Sequence, residues 1–238
     1  SVNVLSLLSA DLYFNDGQIK DEVFVMGSFL QSKMAKAGVT CSNCHNPHSG
    51  QLTLPGNQTC TQCQSADPYD SEKHHQHQAN SAGAQCVDCH MPARTYMQVD
   101  DRRDHSFVIP NADISNSIDS PNACLSCHQT KDLTWVKTQL ANWGEKKVEV
   151  TSTLAATDHW SNIHLLSGQE QVVFARQTLA TTSPIVAAKL LEIINQQPNQ
   201  TSVSIAIEQL NSAQPLLRRA AIDVLRHLPP EQGYQYLY

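Results

Sequence analysis

Eight cysteines fall into four Cys-x-x-Cys pairs, at Cys41/Cys44, Cys60/Cys63, Cys86/Cys89 and Cys124/Cys127, and three of the pairs run straight into a histidine. The three read Cys41-Ser42-Asn43-Cys44-His45, Cys86-Val87-Asp88-Cys89-His90 and Cys124-Leu125-Ser126-Cys127-His128. Two thiols three residues apart share one turn of chain. Each can form a thioether to a vinyl group of one porphyrin, while the next side chain presents its imidazole to the iron. That is the attachment pattern of a c-type haem. At this chain's own Cys and His frequencies about 0.01 copies would arise by chance, so three copies predict three covalently held haems. A zinc centre would want two converging Cys-x-x-Cys pairs and has no rule for the following histidine. A disulfide framework explains an even cysteine number and leaves the histidines unexplained.

Each haem iron has two axial positions, and His45, His90 and His128 fill one each as proximal ligands. Five further histidines lie in the same stretch: His48, His74, His75, His77 and His105. His48 follows His45 by three residues on the same side of that turn, so it can serve only a neighbouring iron. In Lys73-His74-His75-Gln76-His77 an extended backbone turns His75 and His77 one way and leaves His74 as the spectator. His105, between Asp104 and Ser106, is a further distal ligand. His159, His164 and His227 read as structural. Methionine ligation is the weaker reading. Met26 and Met34 lie with Val23 and Leu30 on the apolar stripe of a predicted helix over 19–36 that ends near Gly38, where packing explains them. Met91, between His90 and Pro92, is too close to cross its own haem, and Met97 is the remaining candidate. Irons with two imidazoles have no open position for substrate, which points to electron transfer at a potential below that of His/Met sites and assigns no catalytic residue.

One pair breaks the rule. Cys60-Thr61-Gln62-Cys63-Gln64 keeps both thioether cysteines and lacks the histidine. An amide is a poor iron ligand, so the pair predicts either a fourth haem with a weak or absent proximal ligand or a haemless pair left as thiols or a disulfide.

The elements that must position these groups divide the chain. All eight Cys and eight of the eleven His lie between Cys41 and His128, whereas residues 129–238 lack Cys and are rich in Ala, Leu and Ile. The sequence predicts a mainly α protein: a loop-rich, haem-packed cytochrome c domain over 1–145, then a helical-repeat domain over 155–238. Aromatic residues make up only 6% of the chain, so an apolar side-chain core in the first half would be thin and the cofactors must fill it. In the second half, setting Pro184 on Pro215 gives a period of 31 residues. It aligns Ile185, Val186, Leu191, Ile193 and Ile194 with Leu216, Leu217, Ile222, Val224 and Leu225. The segment from Ser212 to Ala221 resembles the second helix of a HEAT repeat, with proline in the first turn. Roughly three units are needed for a stable solenoid, so two must lean on the first domain or continue further. The net charge of −6, with no basic cluster longer than Arg102-Arg103 or Arg218-Arg219, excludes a nucleic-acid footprint. No apolar run reaches the ~18 residues that span a bilayer.

The runs from Gly17 to Phe24, Gly27 to Met34, Gly38 to Cys41, Gly83 to Pro92 and Arg102-Arg103-Asp104-His105-Ser106-Phe107 resemble a family of bacterial multihaem cytochromes c with a helical-repeat tail. The haem region is similar to tetrahaem electron carriers that serve hydroxylamine oxidation. The resemblance implies that His48, a histidine of the His75/His77 cluster and His105 are distal ligands. It also implies further haem motifs upstream, so that this chain is a piece of a longer protein. It points to a periplasmic or extracellular electron carrier with three or four haems c, a protein redox partner, and a homo-oligomer or larger cytochrome complex. Two other classes remain open: a redox enzyme acting on a small nitrogen or sulfur oxyanion at an open haem, and a wiring subunit of an extracellular cytochrome assembly.

Overall fold

The computed structural model describes residues 7–96, 99–143 and 160–230. Met97, His159 and the expected domain boundary near 145–155 lie outside them. The chain divides into two compact units, one built from residues 18–143 and the other from 7–17 together with 160–230.

The first unit is a string of short helices: α1 (Val25–Phe29), α2 (Lys33–Lys36), α3 (Cys41–Cys44), α4 (Gln58–Thr61), α5 (Ala66–Tyr69), α6 (Glu72–His75) and α7 (Cys86–His90). A two-stranded antiparallel hairpin follows, β1 (Ala93–Tyr96) and β2 (Asp100–Arg103), with Ala93 opposite Arg103. Then come α8 (Ala112–Ile118), α9 (Ala123–Cys127) and α10 (Leu133–Asn142). The one helix expected over 19–36 is instead two, because Ser32 leaves the helical region and its hydroxyl caps α2 by accepting from the Ala35 N–H at 3.0 Å. Gly38, at φ +85°, lies two residues past α2. The packing role expected for Met26 does not hold: its side chain is 43% exposed.

Most joints in this unit are polar. Asn57 is a hub whose amide nitrogen donates to Asp70 Oδ1 at 2.7 Å and to the Ala84 carbonyl at 2.9 Å, while its Oδ1 accepts the Cys86 N–H at 3.0 Å. Arg103 clamps the end of α7, donating to the Val87 and Met91 carbonyls and pairing with Asp88 at 2.9 Å. Apolar burial is sparse: Ile19, Ala84, Tyr96, Ala112, Ile114, Ala123 and Val136.

The second unit is a pair of helix pairs, α11 (Gly168–Leu179) with α12 (Pro184–Ile194) and α13 (Gln200–Gln209) with α14 (Pro215–Arg226). The first helix of each pair opens on a capping box, Ser167 with Glu170 and Asn199 with Ser202, and the second opens on proline. Several residues 31 apart are buried in both pairs, among them Phe174 and Ile205, Ala175 and Ala206, Val186 and Leu217, Leu190 and Ala221, and Ile194 and Leu225. Ile222, expected to match the buried Leu191, is instead 39% exposed, and Leu216 and Val224 are only half-buried. Helix α12 packs against α11, α13 and α14 and forms the centre of this core. Its Lys189 is buried but paired with Glu192 at 2.8 Å. Leu8 and Tyr13 are buried, and His164 Nε2–H donates to the Asn15 carbonyl at 2.8 Å, which ties the first segment into this unit. Among the described residues no helix is long and apolar enough to cross a membrane.

Candidate functional site

Each Cys-x-x-Cys pair touches a helical turn, and three of the four turns are opened by a side-chain hydrogen bond. Before α3, the Thr40 N–H and hydroxyl donate to Asn43 Oδ1 at 2.8 and 2.9 Å, so a residue between the two cysteines fixes their turn. Asn122 Oδ1 accepts the Cys124 N–H at 3.1 Å before α9, and Asn57 does the same for Cys86 at α7. At Cys60, the Gln62 amide donates to the Asn43 carbonyl at 3.2 Å, which ties α4 to α3. All eight thiols are free.

The thiols of successive pairs are neighbours. Burial, then Cys60, Cys63 and Cys41, push the Cys44 thiol up. Cys86 donates to Cys60, which draws Cys60 down to about 7 and pushes Cys86 up. Burial pushes Cys89 up to about 11, with Cys124, Asp88 and Cys127 adding to it. Chain order and spatial order therefore agree: 41/44, 60/63, 86/89, 124/127.

The histidines come together in pairs. His45 and His105 have ring centroids 6.2 Å apart, His74 and His90 lie at 6.1 Å with ring planes 19° apart, and His77 and His128 lie at 6.1 Å. An imidazole nitrogen binds a metal at about 2 Å and sits roughly 1 Å ahead of its ring centroid, so two rings facing across one ion have centroids about 6 Å apart. Each pair joins one motif histidine to one that follows no cysteine.

Four of these six rings anchor Nδ1 on a backbone carbonyl: His45 on Gly50 at 2.9 Å, His90 on Val108 at 2.8 Å, His105 on Arg103 at 2.9 Å, and His77 on His75. A carbonyl can only accept, so Nδ1 carries the proton and Nε2 keeps the lone pair a metal needs. The loop after His45 shows how the sequence arranges this. Asn46 Oδ1 accepts the His48 and Ser49 N–H groups, and Gly50, at φ +69°, turns its carbonyl back to the ring. Burial, opposed by the Arg103 carbonyl and Asp104, holds His105 below its usual range, which favours its neutral form.

Residues 74–77 do not form the extended run expected from the sequence. Helix α6 carries His74 and His75, and Gln76 then turns left-handed at φ +56°. His74 faces His90 and His77 faces His128, whereas His75 turns its Nδ1 edge to the chain and accepts the His77 N–H at 3.2 Å. His48 stays exposed, with no ring contact among the described residues, and Gln64 is exposed as well. Four contributors have no role of their own assigned from sequence, although Gly83 and Phe107 lie in runs that carry the resemblance. Tyr69 meets His74 edge-on at 5.7 Å, Phe107 meets His105 edge-on at 6.1 Å, and Trp135 lies 4.7 Å from His128. At Gly83, a Cβ would stand 2.2 Å from His77 Cδ2, so only glycine leaves room for that ring.

Among the described residues no three His, Cys, Asp or Glu side chains converge on one ion. Each ring pair brings two imidazoles to the spacing that one metal between them would need. Residues 67–182, just under half of the chain, match the family model for cytochrome c552, and this match supports a multihaem c-type cytochrome family. No curated protein and no solved structure matches the chain. The chain binds haem c.

Proposed function

We propose that this chain is an electron-transfer protein that moves charge along three haems held by paired histidines, with a fourth haem at Cys60 and Cys63. The three ring pairs at 6.1 to 6.2 Å carry the proposal. On this reading Cys41, Cys44 and His45 work with His105, Cys86, Cys89 and His90 with His74, and Cys124, Cys127 and His128 with His77. His74 takes the place expected for His75, whose Nδ1 holds residue 77 instead. A haem iron, when bound, supplies one-electron chemistry by alternating between ferric and ferrous. His45 with His105, His90 with His74 and His128 with His77 would each hold a haem iron between two imidazoles, which would leave no position for a substrate and favour a lower potential than His/Met ligation.

The run of neighbouring thiols supports a relay in the order 41/44, 60/63, 86/89, 124/127. It also supports a cofactor at the second position, since an empty pair there would interrupt the row. His48 is the ligand left for it. With Gln64 on the other side, this position favours the second reading, in which one iron keeps an open face for a small nitrogen or sulfur oxyanion. The helical pairs of the other unit would then serve as a HEAT-like docking surface for a protein redox partner or further copies. Thioether formation in an oxidising compartment agrees with a bacterial periplasmic or extracellular setting.

Carbon monoxide added to the reduced protein tests the proposal. No binding supports a pure carrier, and one equivalent per chain marks the Gln64 position as open. Binding at three haems would overturn the paired-histidine reading. Mass analysis of a digest spanning residues 51–73 reports the fourth haem directly, as a haem adduct or its absence.

A further inference from the structure

Asp104 is 4% exposed and has no cationic partner within ion-pair distance among the described residues, its neighbour Arg103 being turned to Asp88 at 2.9 Å. A buried carboxylate without a counter-charge is costly unless hydrogen bonds replace its water. Four donors do so. The Ile19 N–H reaches Oδ2 at 2.7 Å, while the Ser28 hydroxyl at 2.6 Å, the Ser106 N–H at 2.7 Å and the Ser106 hydroxyl at 2.5 Å all reach Oδ1. Ser28 has a second task, because its oxygen accepts the His105 N–H at 2.9 Å. The carboxylate thus pins the backbone of His105 to α1 from a distance of 76 residues in sequence, while the Arg103 carbonyl fixes the ring through Nδ1.

We propose that Asp104 is a positioning residue for His105 and, through its buried charge, lowers the reduction potential of the haem attached at Cys41 and Cys44. This rests on the pairing of His45 with His105 proposed above. A negative charge beside an iron favours the more positive ferric state, and burial keeps water and salt from screening it. Hydrogen-bond donors to that carboxylate spread its charge and weaken the effect, so the donors and the carboxylate act in opposite directions on the potential.

Potentiometric titration of the holoprotein, followed by visible and paramagnetic resonance spectra, tests this with Asp104→Asn and Ser106→Ala. Asp104→Asn removes the charge and is expected to raise one midpoint while the others stay put. Ser106→Ala keeps the charge and removes its hydroxyl donor, so the same midpoint is expected to fall. Shifts of the same sign, equal shifts at every haem, or no shift would overturn the proposal. Should Asp104→Asn fail to mature with haem, Ser106→Ala decides alone, a downward shift at one haem supporting the idea and an unmoved midpoint ending it. His105→Ala separates the two levels of inference. If it leaves every haem low-spin, the pairing itself fails; if one haem turns high-spin while the Asp104 and Ser106 variants move nothing, only the role of Asp104 fails.

Discussion

The two units solve the problem of holding a fold in opposite ways. Of the 28 buried apolar side chains among the described residues, only seven lie in 18–143, so that unit has no side-chain core comparable to the one around α12. The helical unit is held by apolar periodicity. The histidine-bearing unit is held by hubs such as Asn57, Arg103 and Asp104 and by Nδ1 anchors, and on the proposed function the haems would supply the rest. A region that spends few apolar residues on its interior depends on its ligands for stability in the way small metal-bound domains do.

The largest expected effect tests this dependence. A chain matured without haem should lose amide-exchange protection throughout 18–143 while α11–α14 stay protected, and equal protection in both units would erase the contrast. Next in size is Leu190→Ala, which removes a fully buried side chain of α12. It should cost the helical unit about 2–5 kcal/mol in denaturant unfolding and leave the haem spectrum unchanged. Gly83→Ala works the other way. The new methyl collides with His77, at a cost of about 1–3 kcal/mol, and should turn one haem from low-spin to high-spin while α11–α14 unfold as before. Smallest is a pH effect in the helical unit. Burial holds His164 below its usual range, with Lys189 pushing the same way against the Asn15 carbonyl and Asp16. Below about pH 6.5 the unfolded chain therefore binds more protons than the folded one. Stability contributed here is complete above that pH and declines as pH falls through the range beneath it. Melting curves of this unit against pH should show that decline, and His164→Gln should flatten it.

What could be read from sequence follows the same divide. The 31-residue period marks buried pairs such as Val186 with Leu217 because a core of helices repeats its own spacing. The Cys-x-x-Cys-His turns are legible because thioether chemistry demands adjacency. Which of His74, His75 and His77 faces a motif histidine is not, since it depends on a left-handed turn at Gln76 that no periodicity announces. The Asp104 hub joins residues 76 to 85 positions apart and leaves no local trace. Residues 7–17 group with the helices through Tyr13, Leu8 and Asn15 although they precede the cysteine-bearing half in the chain.

The turn from His74 to His77 has one more consequence. On the proposed pairing, a single six-residue stretch from Glu72 to His77 feeds ligands to two different haems, through one helical turn and one left-handed residue. Its length is therefore a ruler shared by two sites. Substitutions at Lys73 can drift and Gln76 can give way to residues that accept a left-handed turn, such as Gly or Asn, but an inserted or deleted residue between the two histidines would misregister both irons at once. The stretch is thus constrained in count more tightly than in composition.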